Sequence, residues 1–494
     1  MSIRLQYTEV GVVKAIRGCI VLVSGFRNCI NGQLIRFGYG TLGMVLGFTE
    51  DEAQVLILKE SEKIRTGSEA VASIEPLVTP VGKNFIGRIV NPLCEPLDGL
   101  DPIQADAMFP IFPESPPILD RQPLNKTLET GVKVLDAMIP IGRGQRELIL
   151  GDKMTGKTTF VTDTIVNQKG SGVICIYCSI GKSRASMAKV VQLFKDRGCF
   201  DYSIIVSAAA SAPPGQQYLS PYVACSLGEF FMKQGMDVFI GFDDFTKHAW
   251  CYREISLLLG RPPGRDSYPG DIFYLHSKMI ERSCFLSKEK GGGTMTFFPV
   301  VEILEGDLTA FVPSNLVSMT DGQIYLSSQL FGEGQKPALD LGLSVSRVGS
   351  KVQWPAIKSL SGPLRLEYLQ YRELLRLSKL KTSGQSEEMK QKLKRGAVLT
   401  ALLRQDKDSP VCQEMQVLIF YAFNKKHLND FTIEQVNDFQ DSCLEYVKGN
   451  KPELMTILRE RRKLDSEIEK MLDEVIKGLV ADIMARTKAK ADLE

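Results

Sequence analysis

Short apolar runs set close together and broken by glycine fill the first 77 residues, at 11–13, 19–24, 43–48 and 53–58, with turns expected at Asn31-Gly32 and at 38–40. That spacing predicts a small all-β barrel or sandwich. Residues 78–123 are rich in proline, including Asn91-Pro92 and Glu95-Pro96, and predict an irregular connector wrapped on a domain surface. From about Gly144 the pattern changes. Apolar runs at 147–150, 173–178, 203–207 and 237–242 alternate with helical periodicity, as at 158–167. Alternation of this kind predicts a mostly parallel sheet with helices on both faces. After about Gly362 the pattern is helical. Its last segment carries Leu464, Ile468, Met471, Leu472, Val475, Ile476, Leu479, Val480 and Ile483 at three- and four-residue steps. This is the stripe of a helix that packs on a core, because its polar face mixes acids with lysines rather than being basic.

Bulk properties narrow the function classes. The chain has 494 residues, is 44% hydrophobic and 24% charged, and bears a formal net charge of +2. It is long enough for several domains, and its charge gives no global reason to expect nucleic acid as a partner. No apolar run approaches the roughly 18 residues that span a bilayer, and the first residues read as neither a secretory signal nor a transit peptide. The eleven cysteines include one CxxC pair, Cys175 and Cys178, but it lies in a run that reads as a buried strand, with no second pair to complete a metal site. Core thiols in a reducing compartment are the expectation. His248, His276 and His427 are far apart in sequence and read as packing residues.

One segment carries specific chemistry. Gly151-Asp152-Lys153-Met154-Thr155-Gly156-Lys157-Thr158 fits GxxxxGK[ST], with a strand before it and a helix after it. Such a loop curls its backbone N–H groups toward phosphate oxygens. Lys157 is expected on the outer phosphates and the Thr158 hydroxyl on Mg²⁺, at the positive end of the following helix. Downstream, an apolar run ends in Asp243-Asp244, where a carboxylate of a P-loop protein holds Mg²⁺ or its water. Two capping acids at a strand end are the plain alternative. Hydrolysis would also need a group that orients water, expected in the turn Ile180-Gly181-Lys182-Ser183-Arg184. That segment holds no acid, and charged Lys182 would compete with Mg²⁺ for nearby oxygens. The expectation is a site that holds ATP or ADP without turning it over.

At these residues the chain resembles the alpha subunits of F-type ATP synthases. The likeness lies in Ile139-Pro140-Ile141-Gly142-Arg143-Gly144-Gln145-Arg146-Glu147-Leu148 leading into the loop, and in three more runs. These begin at Arg261-Pro262-Pro263-Gly264-Arg265, Ser318-Met319-Thr320-Asp321-Gly322 and Ser344-Val345-Ser346-Arg347-Val348. It extends from about Gly11 to the C-terminal helices. The resemblance implies a β-barrel over 1–77, a RecA-like nucleotide-binding domain over 78–361 and a helical domain over 362–494. It implies three such chains alternating with three catalytic beta subunits around a gamma shaft, with a delta subunit and peripheral stalk. The complex would sit on the cytoplasmic side of a bacterial plasma membrane, reaching the membrane only through other subunits. By the same resemblance Arg347, beside Ser346, extends toward nucleotide on the neighbouring beta subunit; a surface salt bridge is its ordinary alternative.

This sequence departs from the family at several places. Lys153-Met154 stands where Arg-Gln is usual, and Lys182-Ser183 where Gln-Lys is usual. Lys336-Pro337, Gln405 and Lys407 match an Arg-Pro pair and two glutamines at the adenine end. The chain begins almost at the barrel, without the family's usual N-terminal helical extension, so the expectation is that either the stalk contact differs or the true start lies further upstream. The rival readings are a self-sufficient hexameric ATPase for protein export or RNA translocation, which would need the missing acid, and a scaffold with an empty site.

Overall fold

In a computed structural model of the protein, residues 9–59, 64–380 and 387–491 are described. Two compact units gather it: one of Met1–Pro123, Arg143–Lys153 and Lys169–Asp321, the other of Leu124–Gly142, Met154–Gln168 and Gly322–Glu494.

The first unit opens with a closed six-stranded barrel. Its strands are β1 (Glu9–Arg17), β2 (Ile20–Ser24), β3 (Gln33–Phe37), β4 (Leu42–Phe48), β5 (Glu52–Lys59) and β6 (Glu69–Pro76), in the order β1-β2-β5-β4-β3-β6. Alternation decides which side chains point in: Val13, Val21, Val23, Ile35, Val45, Val55 and Ile57 form the barrel core, while Val10 and Val12 face out. The 78–123 segment is more ordered than its prolines foretell. Val78–Val81 pairs with Ala107–Pro110, and Ile89–Val90 joins the edge of a parallel sheet beside Ser203–Ala209. Pro80 and Pro110 are tolerated because both strands of the two-stranded ladder are edges.

That sheet runs Glu147–Gly151, Thr294–Glu302, Asp237–Asp243, Val173–Lys182, Ser203–Ala209 and Ile89–Val90, every neighbouring pair parallel. Its central strands are buried along nearly their whole length, as continuous apolar runs require. Cys175 and Cys178 are fully buried here. The expected turn at 180–184 is replaced by two regular elements. The Val173–Lys182 strand continues through Lys182, which pairs with Ala209 after an irregularity at Gly181, and Ser183 caps a helix that starts at Arg184. The Ser203–Ala209 strand supplies this pairing beyond Ser179, where pairing with Asp237–Asp243 stops.

The Pro214–Lys233 helix is buried almost throughout. A Cβ at Gly215 would lie 2.2 Å from the Ile57 carbonyl oxygen, so glycine permits the close approach of β5, and Gln216 Nε2 donates to Leu58 O at 3.1 Å. On the same helix Glu229 accepts from Arg282 Nε at 2.6 Å. The Arg282 guanidinium, 1% exposed, also donates to Ser226 Oγ, Tyr222 O and Ile111 O. Two histidines distant in sequence meet nearby: His248 Nδ1 and His276 Nε2 are 3.2 Å apart, and His248 Nε2 is 3.1 Å from Tyr218 O. Burial pushes His248 down to about 4 and His276 lower than its ordinary value too.

The second unit is mainly helical: Lys157–Asn167, Pro355–Leu380, Glu387–Leu403, Gln413–Asn424, Ile433–Asn450, Glu453–Arg461 and Ser466–Ala491, with a small ladder of Gly322–Leu326 and Val345–Ser346. The helical part starts at Pro355, ahead of position 362, because a proline fits the first turn of a helix. The last helix buries Ile468, Leu472, Val475, Ile476, Leu479 and Ile483. Fully buried Asp136 accepts from Thr130 N, Thr130 Oγ1, Gly131 N and Gln416 Nε2. Burial raises its pKa, and these donors oppose the shift. Among the described residues no helix is long and apolar enough to cross a membrane.

Two stability tests follow from these buried groups. Arg282→Ala leaves Glu229 buried without its cation and should lower the unfolding free energy by about 3–5 kcal/mol, read from chemical denaturation. A histidine with a depressed folded pKa takes its proton more readily unfolded. Stability is therefore complete above pH 6.5 and lost as pH falls toward 4, by about 3 kcal/mol for His248 alone. His248→Gln should flatten the fall in thermal midpoint between pH 6.5 and 4.5; an unchanged slope would show that other groups set it.

Candidate functional site

The candidate residues fall in both units and are described unit by unit; the boundary between the units runs through the phosphate loop, between Lys153 and Met154. The loop begins where the Glu147–Gly151 strand ends, and Asp152 Oδ1 accepts from Gly306 N at 3.0 Å. Lys153 is exposed.

In the second unit Met154 is 84% exposed with φ +65°, and Thr155 and Lys157 are buried. Gly156, at φ +100°, turns the backbone into the Lys157–Asn167 helix. A Cβ there would meet open space, so the backbone conformation, not crowding, calls for glycine. The helix start has no side-chain cap, and Thr158 lies in its first turn. The N–H groups of such a turn suit a phosphate.

The helix opens onto a cavity of about 500 Å³. Met154, Thr155, Gly156, Thr159 and Phe160 line one part of it, and Phe331, Lys336, Pro337, Gln405 and Lys407 another. The four positions matched to the family's adenine end are thus brought to the mouth of the phosphate loop. Lys336 Nζ lies 5.7 Å from the centre of the Phe331 ring. Lys336-Pro337 is a cis peptide, and Gln405 N donates to Lys336 O at 2.9 Å. The Gln405 amide has a framework role that the sequence did not disclose. Its Oε1 accepts from Lys133 N at 2.9 Å, and its Nε2 donates to Gly131 O and Ser409 O at 2.8 Å each. Val132, Asp163 and Asp406 also line the cavity and were missed, because nothing in their local sequence marks them. Asp163 Oδ1 holds the following loop by accepting from Asp408 N.

In the first unit the Asp237–Asp243 strand ends in two carboxylates joined by a cis peptide. Asp244 caps the Phe245–Leu258 helix, accepting from Lys247 N at 2.9 Å; burial and the neighbouring Asp243 push it up to about 6. Asp243 is 1% exposed. Its Oδ2 accepts from Lys182 Nζ at 2.5 Å and from Tyr177 Oη at 2.8 Å. Tyr177 was also missed, since only the parallel register of the two strands brings it to Asp243. Burial, and the Asp243 charge after it, keep its phenol protonated. Lys247 adds a second ammonium, which donates to Gly181 O at 2.9 Å.

At Asp243, where the sequence leads one to expect a divalent cation, the structure shows a lysine and a tyrosine on the carboxylate. Oδ2 already holds an ammonium and a hydroxyl donor. No cluster of three or more His, Cys, Asp or Glu able to hold a metal occurs among the described residues.

Arg347 lies just beyond the Val345–Ser346 strand and is exposed, and no ion pair joins it to another described residue. Its loop is anchored by neighbouring hydroxyls. Ser344 Oγ accepts from Tyr325 N at 2.9 Å, Ser346 Oγ donates to Pro140 O at 3.0 Å, and Ser346 Oγ accepts from Gly349 N at 3.3 Å.

Comparison with known proteins matches this architecture twice over. The family model of the ATP synthase alpha/beta nucleotide-binding domain covers residues 131–346, and that of the C-terminal domain of ATP synthase alpha/beta chains covers 353–479. ATP synthase subunit alpha of Clostridium botulinum (strain Eklund 17B / Type B) is 44% identical over 473 residues, 96% of this protein and 94% of the relative. The protein of the same name from Dehalococcoides mccartyi (strain CBDB1) is 42% identical over 480 residues, 96% of this protein and 95% of its own length. That of Caldanaerobacter subterraneus subsp. tengcongensis is 43% identical over 472 residues, 96% and 93%. With a phosphate loop opening onto its cavity, two matching family domains and relatives alike over nearly the whole length, the chain belongs to the ATP synthase alpha/beta family, on its alpha-subunit side.

Proposed function

We propose that this chain is a regulatory alpha subunit that holds ATP or ADP without hydrolysing it, and that it completes the catalytic site of a neighbouring beta subunit with Arg347. The observation that carries the first part is the end of the Val173–Lys182 strand. No carboxylate stands at 180–184, and Lys182 is ion-paired to Asp243. Turnover needs a group that orients or deprotonates water, and an ammonium accepts no proton.

Support for the second part comes from the Arg347 loop, where Ser344 and Ser346 hold the backbone and leave the guanidinium exposed. An arginine supplied in trans stabilises the charge that develops on a transferring phosphoryl group. In this reading three such chains alternate with three beta subunits around a gamma shaft, with a delta subunit and peripheral stalk. The assembly makes ATP from ADP and phosphate using a proton or sodium gradient. It works on the cytoplasmic side of a bacterial plasma membrane, which this chain reaches only through other subunits. Division into a barrel over 1–77, a nucleotide domain over 78–361 and a helical domain over 362–494 belongs to the same reading.

Purification with the native partners tests both parts. The isolated chain should bind ATP with no steady-state hydrolysis, while the complex turns over; robust turnover by the isolated chain would identify a self-sufficient ATPase. Arg347→Ala should lower turnover by the complex by roughly 10³-fold or more with assembly intact on gel filtration. Unchanged turnover would remove Arg347 from the catalytic site.

A further inference from the structure

We infer that the base end of the cavity admits guanine as readily as adenine, so that this chain holds GTP or GDP as well as ATP or ADP. This rests on the nucleotide-holding reading above and adds to it the class of base that the cavity takes. Every residue concerned lies within the second unit.

To choose between two purines, a site must meet the edges at which they differ. Adenine offers an N6 amine that donates beside the N7 acceptor, whereas guanine offers two acceptors, O6 and N7. A glutamine amide answers adenine well, because its oxygen accepts from N6 while its nitrogen donates to N7. Gln405 lines the cavity, but its amide is spent on the framework. Both Nε2 protons are given away, to Gly131 O and Ser409 O, and Oε1 accepts from Lys133 N. Turning the amide toward a base would strip three backbone groups of these partners. Lys133 is 3% exposed, and a buried N–H left unpaired costs more than one new contact returns.

The other polar side chains at this end do not separate the bases either. Lys336 and Lys407 are exposed on the cavity wall, and an ammonium only donates. Each rides on a flexible four-carbon stem and so meets an acceptor over a range of positions. N7 is an acceptor in both purines, and guanine adds O6. Asp406 also lines the cavity, and an ionised carboxylate only accepts. Adenine has hydrogens to give it at N6, and guanine has them at N1 and N2. Each base therefore finds both donors and an acceptor. The remainder of the wall is apolar, with Val132, Phe160, Phe331 and Ala338. Contact of a base with an aromatic ring is tolerant of which base it is, because every base has a π-face.

The test is equilibrium dialysis of the isolated full-length protein against ATP, GTP and UTP in the same buffer. ATP and GTP should show dissociation constants within about threefold of each other. UTP, with one ring instead of two to lay on the apolar wall, should bind at least about fivefold more weakly. ATP binding that is tenfold or more tighter than GTP binding would overturn the inference while leaving the nucleotide-holding reading in place. Equal binding of all three would show that the cavity does not hold the base, and would overturn the inference too. Absence of binding by all three would overturn both readings. Lys407→Gln supplies, on an exposed residue, an amide not tied to the framework. It should raise the preference for ATP over GTP to about fivefold or more. An unchanged ratio would show that a free amide is not what the cavity lacks, and would count against the inference; if the variant fails to fold, the three nucleotides on the natural protein decide alone.

Discussion

The Arg282 guanidinium is the point to which the first unit is tied. It is enclosed almost completely, so each of its N–H groups must find an oxygen inside the protein. Glu229 and Ser226 on the Pro214–Lys233 helix supply side-chain oxygens, and Tyr222 and Ile111 supply carbonyls. One planar group thereby joins a helix, a proline-rich connector and, through the adjoining Ser283 hydroxyl on Met295 O, the Thr294–Glu302 strand. The helix it braces also takes the barrel at Gly215. Barrel, connector and sheet are registered against one element, and the strand ends that carry Lys182 and Asp243 are held in place by that registration.

What the sequence disclosed followed the reach of each signal. The barrel strands, the parallel strands and the last helix are periodic over enough residues to be read directly, and the glycine spacing of the phosphate loop encodes its own conformation. The 180–184 segment reads as a turn because it follows the apolar run that ends at Cys178. Pairing with Asp237–Asp243 ends at Ser179, and the parallel Ser203–Ala209 strand alone carries it on through Lys182. Short pairings such as Val78–Val81 with Ala107–Pro110 have too few residues to show a period. At the site, the positions Lys336, Pro337, Gln405 and Lys407 were legible only through resemblance, and the cavity unites them with Met154–Gly156. Tyr177, Lys133 and Asp163 were not legible, since each acts on a residue more than sixty positions away through register or loop packing. Gln405 shows the converse: its position was marked, yet its amide is bound to the framework.

Charge at the strand ends is arranged differently here from the general scheme of a hydrolysing P-loop enzyme. There the carboxylate that ends the strand serves a metal, and a nearby acid or amide serves water. Here the first carboxylate serves a lysine and the second serves a helix cap. The cavity on the second unit keeps the features that grip a nucleotide: a glycine-turned loop, an uncapped helix start and an apolar wall that includes Phe160 and Phe331.

The two buried histidines also have a fixed internal order. Tyr218 O can only accept, so His248 Nε2 must carry the proton in that contact. A neutral imidazole then has a bare Nδ1, and that atom faces His276 Nε2, which must in turn be the protonated nitrogen of its own ring. One backbone carbonyl of the Pro214–Lys233 helix thus sets the tautomer of a ring on the next helix, and through it that of a ring on the helix beyond.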